Sequence, residues 1–153
     1  MTAAGVDESF TGRVYPPTSA VHVTADAVRA FARAVRAEHP AHHDASAARA
    51  LGHRDVVAPP TFAVTLAQRA DAQFVEDPAA GIDFSRVVHG EQSFVHHRPV
   101  VAGDELTAEL HVDRVRVVRG NAMVTTRSEL RTTAGEAVCT AVSTLVVRAP
   151  EDS

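Results

Sequence analysis

Glu38-His39-Pro40-Ala41-His42-His43-Asp44 puts three imidazoles and two carboxylates into one short stretch of chain. An imidazole titrates near pH ~6.5, so it can both give and take a proton under physiological conditions. A little further on, the chain reads Ala58-Pro59-Pro60-Thr61-Phe62. Proline in a first helical turn forfeits no helix bond and leaves the next N–H groups facing outward. A helix start of that kind favours partial negative charge, including a thioester oxygen turning into an enolate. Together these are the parts for proton transfer beside a carbonyl. Each also has a plainer reading, a solvated polar loop in one case and a well-made helix start in the other.

A second polar region lies at His89-Gly90-Glu91-Gln92-Ser93-Phe94, running into His96-His97-Arg98-Pro99 and then Ala102-Gly103-Asp104. Gly90 suggests the close approach of another backbone or a ligand. Gly103-Asp104 reads as a structural turn before the next strand. His96, His97 and Arg98 are either a solvated edge or partners for the phosphates of a coenzyme A or carrier-protein arm, and both readings stay open. The histidine loop makes no helical i, i+4 pair or other tight ligand template, so no metal is expected there.

The elements that must position these groups follow from periodicity. Thr24 is a natural N-cap, with Asp26 in the first turn of a helix running to about Ala37. Val28, Phe31, Ala32 and Val35 recur at helical spacing and give it an apolar face. Pro40 ends that helix. Asp44 caps a short second helix over residues 45–51, and Gly52 stands where a C-terminal glycine belongs. Residues 61–74 form the most apolar helical stretch, with Phe62, Ala63, Leu66, Ala67 and Ala70 in one wide stripe; a helix this apolar is buried by a sheet wrapped around it. Residues 87–97, 105–118, 122–132 and 137–148 then switch to β-branched, partly alternating runs, with turns at Arg119-Gly120-Asn121 and Ala134-Gly135-Glu136. Helices first and a long antiparallel meander second make an α+β domain. A sheet around one central apolar helix is the hot-dog arrangement.

Composition narrows the function classes. A chain of 153 residues, 45% hydrophobic and 22% charged, reads as one globular domain over 1–153 with its core at about 10–148. A net charge of −4 with no basic tract argues against nucleic acid. The sequence holds no lysine, which excludes Schiff-base chemistry and a Walker-type phosphate loop. The one cysteine, Cys139, cannot form an internal disulfide, makes thiolate zinc unfavourable and reads as a buried, inert thiol in a strand. No stretch approaches the roughly 18 apolar residues of a membrane helix. Residues 1–9 lack a secretory pattern. The expectation is a cytoplasmic protein with no membrane partner and no cofactor.

The chain resembles the MaoC-like dehydratases, most closely their N-terminal-type domain, a group that includes the non-catalytic subunit of mycobacterial (3R)-hydroxyacyl-carrier-protein dehydratases. The marks are Ala58-Pro59-Pro60-Thr61-Phe62, His89-Gly90-Glu91-Gln92-Ser93-Phe94 and Arg98-Pro99-Val100-Val101-Ala102-Gly103-Asp104, within a likeness covering about residues 10–148. Active members carry a Gly-Asp-x-Asn-Pro-x-His turn whose Asp and His share the acid–base work. Laid on this sequence, Pro40 fits the proline, His42 falls on the catalytic histidine, and Asp44, Ala48 and Gly52 continue the pattern. The aspartate position holds Ala37. Glu38 is a possible substitute, but one residue late at a helix end swings a side chain by about 100°. Thr61, beside Pro60, falls near the N–H that binds the thioester oxygen, and His89, Gly90, Glu91 and Gln92 are the remaining substrate-binding candidates.

What the resemblance implies is syn addition of water to a trans-2-enoyl thioester of coenzyme A or carrier protein, or its reverse. Either this chain does so itself through His42 and Glu38, or it is a silent partner shaping the acyl tunnel beside a second MaoC-type chain. A homodimer or heterodimer is expected, because a lone hot-dog unit leaves sheet edge and apolar helix surface open. A hot-dog thioesterase would want a carboxylate on the central helix, where Asp71 is the nearest candidate. A module that binds an acyl chain or small molecule without turnover is the remaining class.

Overall fold

In the computed structural model, which describes residues 5–151, one long helix is wrapped by one antiparallel sheet. Residues 1–4 of the polar N-terminal stretch lie outside the described residues. The helical elements are α1 (Ala25–Ala34), α2 (Ala45–Ala50) and α3 (Val64–Val75); the strands are β1 (Val21–His22), β2 (Val87–His96), β3 (Glu105–Val118), β4 (Asn121–Thr132) and β5 (Ala137–Val147). Strand order across the sheet is β1-β3-β4-β5-β2. Every pairing is antiparallel. This is the α+β hot-dog architecture.

The sheet wraps α3 because its inner face is a largely apolar wall, interrupted by the buried Thr126, Ser128 and Ser143. Leu106, Ala108, Leu110 and Val112 alternate inward along β3, and Ala122, Val124 and Leu130 do so along β4. A register shift between Val112 and Arg114 resets the alternation and returns Val115 to the core. Against that wall α3 buries Leu66, Ala67, Ala70 and Phe74. Cys139 is fully buried in β5, and burial, with Glu129 nearby, pushes its thiol up to about 11, so it is a poor nucleophile. Between β3 and β4 the chain turns on Arg119 (φ 52°) and Gly120 (φ 81°), both left-handed as a two-residue hairpin turn of the primed type requires.

The helix ends are set by specific caps. Thr24 accepts the Ala27 N–H, as its N-cap position predicts. However, α1 stops at Ala34, short of Ala37. Arg36 takes a left-handed φ of 57°, the Arg36 N–H donates to Arg33 O at 3.2 Å and the Ala37 N–H donates to Ala32 O at 2.8 Å. That is a Schellman closure with arginine where glycine is usual. Asp44 caps α2 through the Ser46 N–H, and Gly52 follows it at φ 91°. The expected helix over 61–74 also divides. Pro60–Ala63 is a tight 3-10 turn, and α3 begins only at Val64. Two prolines without N–H groups leave Pro59 O to be taken by Phe62 N–H at 2.9 Å, which tightens that first turn.

The two edges of the sheet differ. Beyond β3, residues 12–18 run alongside and bond it: Gly12 N–H to Val112 O at 2.8 Å, Tyr15 N–H to Leu110 O at 2.9 Å and Thr18 N–H to Ala108 O at 2.9 Å. Tyr15 also donates its hydroxyl to Asp77 at 2.7 Å, tying this cover to the end of α3. At the other edge, among the described residues, β2 pairs only with β5 and exposes Val88 and Val95.

Candidate functional site

The turn that carries His42 is held from three sides. Pro40–His42 forms a 3-10 turn whose N-cap, His39, accepts the Ala41 N–H on Nδ1. His43 Nε2 lies 2.7 Å from Ala37 O, and His42 Nδ1 lies 2.6 Å from Val57 O. Because a carbonyl only accepts, each of those ring nitrogens carries the proton. In neutral His42 the Nε2 lone pair is therefore free, the state a general base needs. Of the three imidazoles, His42 alone lines the adjacent groove.

That groove encloses about 460 Å³ between His42, residues 57–60 and residues 96–100. Its floor is pinned by Val57 N–H to Ala41 O at 3.0 Å and Ala58 N–H to Val100 O at 2.8 Å. His96 Nε2 donates to Pro60 O at 2.8 Å across one wall. Beneath the other wall sits Asp104, 4% exposed. It takes both Arg98 nitrogens at 2.9 and 3.1 Å, Arg54 at 2.8 Å and the Val101 N–H at 2.9 Å. Burial pushes the Asp104 carboxyl up, but the arginines and the N–H outweigh it and hold it below the usual carboxylate range. Arg98 also bonds Glu136. Gly103-Asp104 is thus a structural turn, and one that anchors the groove. His96, His97 and Arg98 are part of the groove wall, which their sequence left open between edge and ligand contact.

The other sequence candidates fall differently. Pro60 lines the groove; Thr61 does not, but its N–H has no hydrogen-bond partner among the described residues. Glu38 is exposed and is not among the lining residues. Ala37, in the aspartate position, offers only its carbonyl, which His43 occupies. The segment His89 to Gln92 is not here at all. His89 and His96 stand at opposite ends of β2, about 23 Å apart along the strand. Gly90 makes no forced approach to a neighbour: an added Cβ would meet Thr144 O at an ordinary 3.5 Å. What it marks is a bulge, where pairing slips between His89 and Glu91.

His89 belongs instead to a second and larger cavity of about 890 Å³. Its Nε2 donates to Gln92 Oε1 at 3.1 Å, which also accepts the Ser143 hydroxyl at 2.6 Å; Glu91 is exposed. Facing into this cavity from α3 is Asp71, 6% exposed, with no hydrogen-bond partner for Oδ1. Burial is the chief cause that pushes its carboxyl up to about 6, against the opposing pull of the Thr126 hydroxyl and His89. The sequence offered Asp71 only as a lone helix carboxylate; its meeting with His89 depends on the sheet wrapping back over α3. Among the described residues no group of three or more His, Cys, Asp or Glu side chains is spaced to hold a metal ion.

Residues 9–141 match the family model of the FAS1-like dehydratase domain region. The chain belongs to this dehydratase family. It is 52% identical over 143 residues to a UPF0336 protein of Saccharopolyspora erythraea, covering 94% of this chain and 92% of that one. Among solved structures, a chain of the C-terminally truncated HadBC (3R-hydroxyacyl-ACP dehydratase) complex of Mycobacterium tuberculosis superposes with a TM-score of 0.80 at 36% identity, over 90% of this chain and 96% of that chain. A MaoC-like dehydratase superposes at 0.83 with 33% identity, over 94% of this chain but 43% of that longer one. The MaoC-like likeness read from the three motifs is therefore correct, and the dehydratase fold spans both the groove and the cavity.

Proposed function

We propose that the chain is one subunit of a (3R)-hydroxyacyl-thioester dehydratase, equally an (R)-specific enoyl-thioester hydratase, acting in the cytoplasm on acyl-coenzyme A or acyl-carrier protein. In the favoured form it is a partner subunit, and the carboxylate–histidine pair is supplied by a second MaoC-type chain. The observation that carries this is the composition of the groove: His42 is aligned with a free Nε2, while Ala37 stands in the aspartate position and Glu38 lies outside the lining. Syn elimination of water needs one group to take the C2 proton and another to protonate the departing hydroxyl, and this groove supplies one of the two. Docking of the second chain is supported by the open edge of β2, with Val88 and Val95 exposed, whereas the opposite edge is already covered. The solved relative is itself named as a complex.

A specific observation also supports the autonomous form. The bond to Val57 O orients His42 as an active acid–base would be oriented, and the free Thr61 N–H is the kind of donor that holds an enolate oxygen. Here His42 would exchange a proton with water or the leaving hydroxyl, Glu38 would swing in as the second group, and general acid–base catalysis would contribute about 10²–10⁴-fold.

Hydration of crotonyl-coenzyme A by the purified chain, followed by the loss of enoyl-thioester absorbance, separates the two forms. The partner-subunit form predicts no turnover above background from the chain alone. Turnover that disappears in His42→Ala would overturn it in favour of the autonomous hydratase and would make Glu38 the second acid.

A further inference from the structure

His96 stands at the end of β2, in one wall of the groove, and its ring reaches across to the start of the central helix. Its Nε2 donates to Pro60 O at 2.8 Å. A trans peptide is a rigid plane whose C=O and N–H point in opposite directions, so holding one holds the other. The N–H in the same plane as the Pro60 carbonyl is that of Thr61, which has no hydrogen-bond partner among the described residues. Because neither Pro59 nor Pro60 has an N–H, it is the first donor this turn presents. The Pro60 ring locks φ, so the tilt of the plane turns mainly on ψ of Pro60. The imidazole that holds the plane is itself held. It stacks on Phe94, two residues back on the same face of β2, with ring centroids 5.9 Å apart and 27° between the planes. Just beyond it, the His97 N–H anchors the strand end on Val138 O at 2.9 Å. On the other side of the turn, Phe62 meets Phe31 of α1 edge-on with centroids 5.4 Å apart.

We propose that His96 is a positioning residue: it sets the Pro60–Thr61 peptide plane so that the Thr61 N–H stands ready for a thioester carbonyl oxygen. Two effects act through the one bond. The first is orientation, because a donor fixed in direction before the ligand arrives loses less entropy when it binds. The second is polarisation, because a hydrogen bond accepted by the carbonyl strengthens the N–H of the same amide as a donor, by about 10–30%. A mere tie between β2 and the helix start would use the same contact, but it would affect stability and nothing else. The two roles therefore separate in experiment. The positioning role asks only binding of this groove, so it holds whether the acid–base pair sits here or on a second chain.

The inference rests on the acyl-thioester reading above. Its test is a titration of the isotope-labelled full chain with butyryl-coenzyme A, a saturated thioester that is neither hydrated nor dehydrated, followed at the Thr61 amide by NMR. In the wild type the Thr61 amide proton should move downfield on binding. His96→Phe keeps a ring to stack on Phe94 and removes the donor. In that variant the Thr61 response should disappear and affinity should fall about three- to tenfold, the loss of one hydrogen bond. His96→Gln, with a donor of similar reach, should recover part of both. His96→Asn, whose amide is too short to reach Pro60 O, repeats the test if His96→Phe does not fold. A variant without the donor that melts lower but binds butyryl-coenzyme A and moves Thr61 as the wild type does overturns the proposal. So does a Thr61 amide that stays still in the wild type, or no binding of butyryl-coenzyme A. The dehydratase reading fails on a separate readout, the absence of crotonyl-coenzyme A hydration by the two-chain protein, which leaves the Thr61 response in place.

Discussion

Two buried aspartates stand at the two concave regions of this molecule, and they are opposites. Asp104, under the His42 groove, has two arginines and a backbone N–H around it. Asp71, in the cavity along α3, has an oxygen with no partner. The first is a scaffold: its charge is satisfied, and it fixes the loop that faces His42. The second is an unmet demand, and it is kept at some cost to stability. The contrast teaches that burial alone does not decide what a carboxylate does in this dehydratase fold; the hydrogen bonds made to it do.

The sharpest way to break the contrast is Asp104→Ala. It leaves Arg98 with only Glu136 and the Pro99 carbonyl and removes the acceptor for Val101 N–H, so we expect a loss of about 3 kcal/mol in urea unfolding. Because the Asp104 carboxyl is depressed below its unfolded value near 3.8, its stabilisation is present above that pH and fades as pH falls through the lower folded value.

Asp71 must show the reverse sign. Its folded value of about 6 lies above the unfolded 3.8, so the folded state binds the extra proton between them and stability falls as pH rises through that window. Asp71→Asn should therefore stabilise the chain by roughly 2–3 kcal/mol at pH ~7.5 and by almost nothing near pH ~4, in paired unfolding curves. His89, Glu76 and the Thr126 hydroxyl face this group, and protonation of His89 works against the shift. A neutral or destabilising Asp71→Asn at pH ~7.5 would dissolve the distinction between the two aspartates.

Two smaller changes sharpen the groove side. His42→Ala removes the hydrogen bond to Val57 O and should cost about 1 kcal/mol while leaving the chain folded, read by thermal melting. Arg36→Gly relieves the left-handed arginine at the end of α1, just before the His42 turn, and should raise stability by about 0.5–1 kcal/mol.

Legibility divides along the same line. The groove side is written locally: Thr24 and Asp44 as caps, Pro40 as a helix stop, and the strand runs whose ends moved by a residue or so, all depend on neighbours a few positions away. Even there, backbone chemistry set limits, since two consecutive prolines produced a 3-10 turn before α3 and a left-handed Arg36 closed α1 early. The cavity side was not legible. His89 to Gln92 stood among the substrate-binding candidates beside Thr61 and Pro60, yet the extended β2 sets His89 and His96 about 23 Å apart. The meeting of Asp71 with His89 is a product of sheet curvature, which no local spacing encodes. An acidic residue on the buried stripe of an otherwise apolar helix was the one available signal.

The measurement that tests the central claim most directly is crotonyl-coenzyme A hydration by this chain co-expressed with a MaoC-type chain that carries the intact carboxylate–histidine turn, with and without His42→Ala in this chain. If this chain is the partner subunit, the pair turns over and His42→Ala changes its rate by less than about threefold, against the roughly 10²–10⁴-fold of a working acid–base. A loss of that larger size in the His42→Ala pair would contradict the account and place the chemistry in this groove.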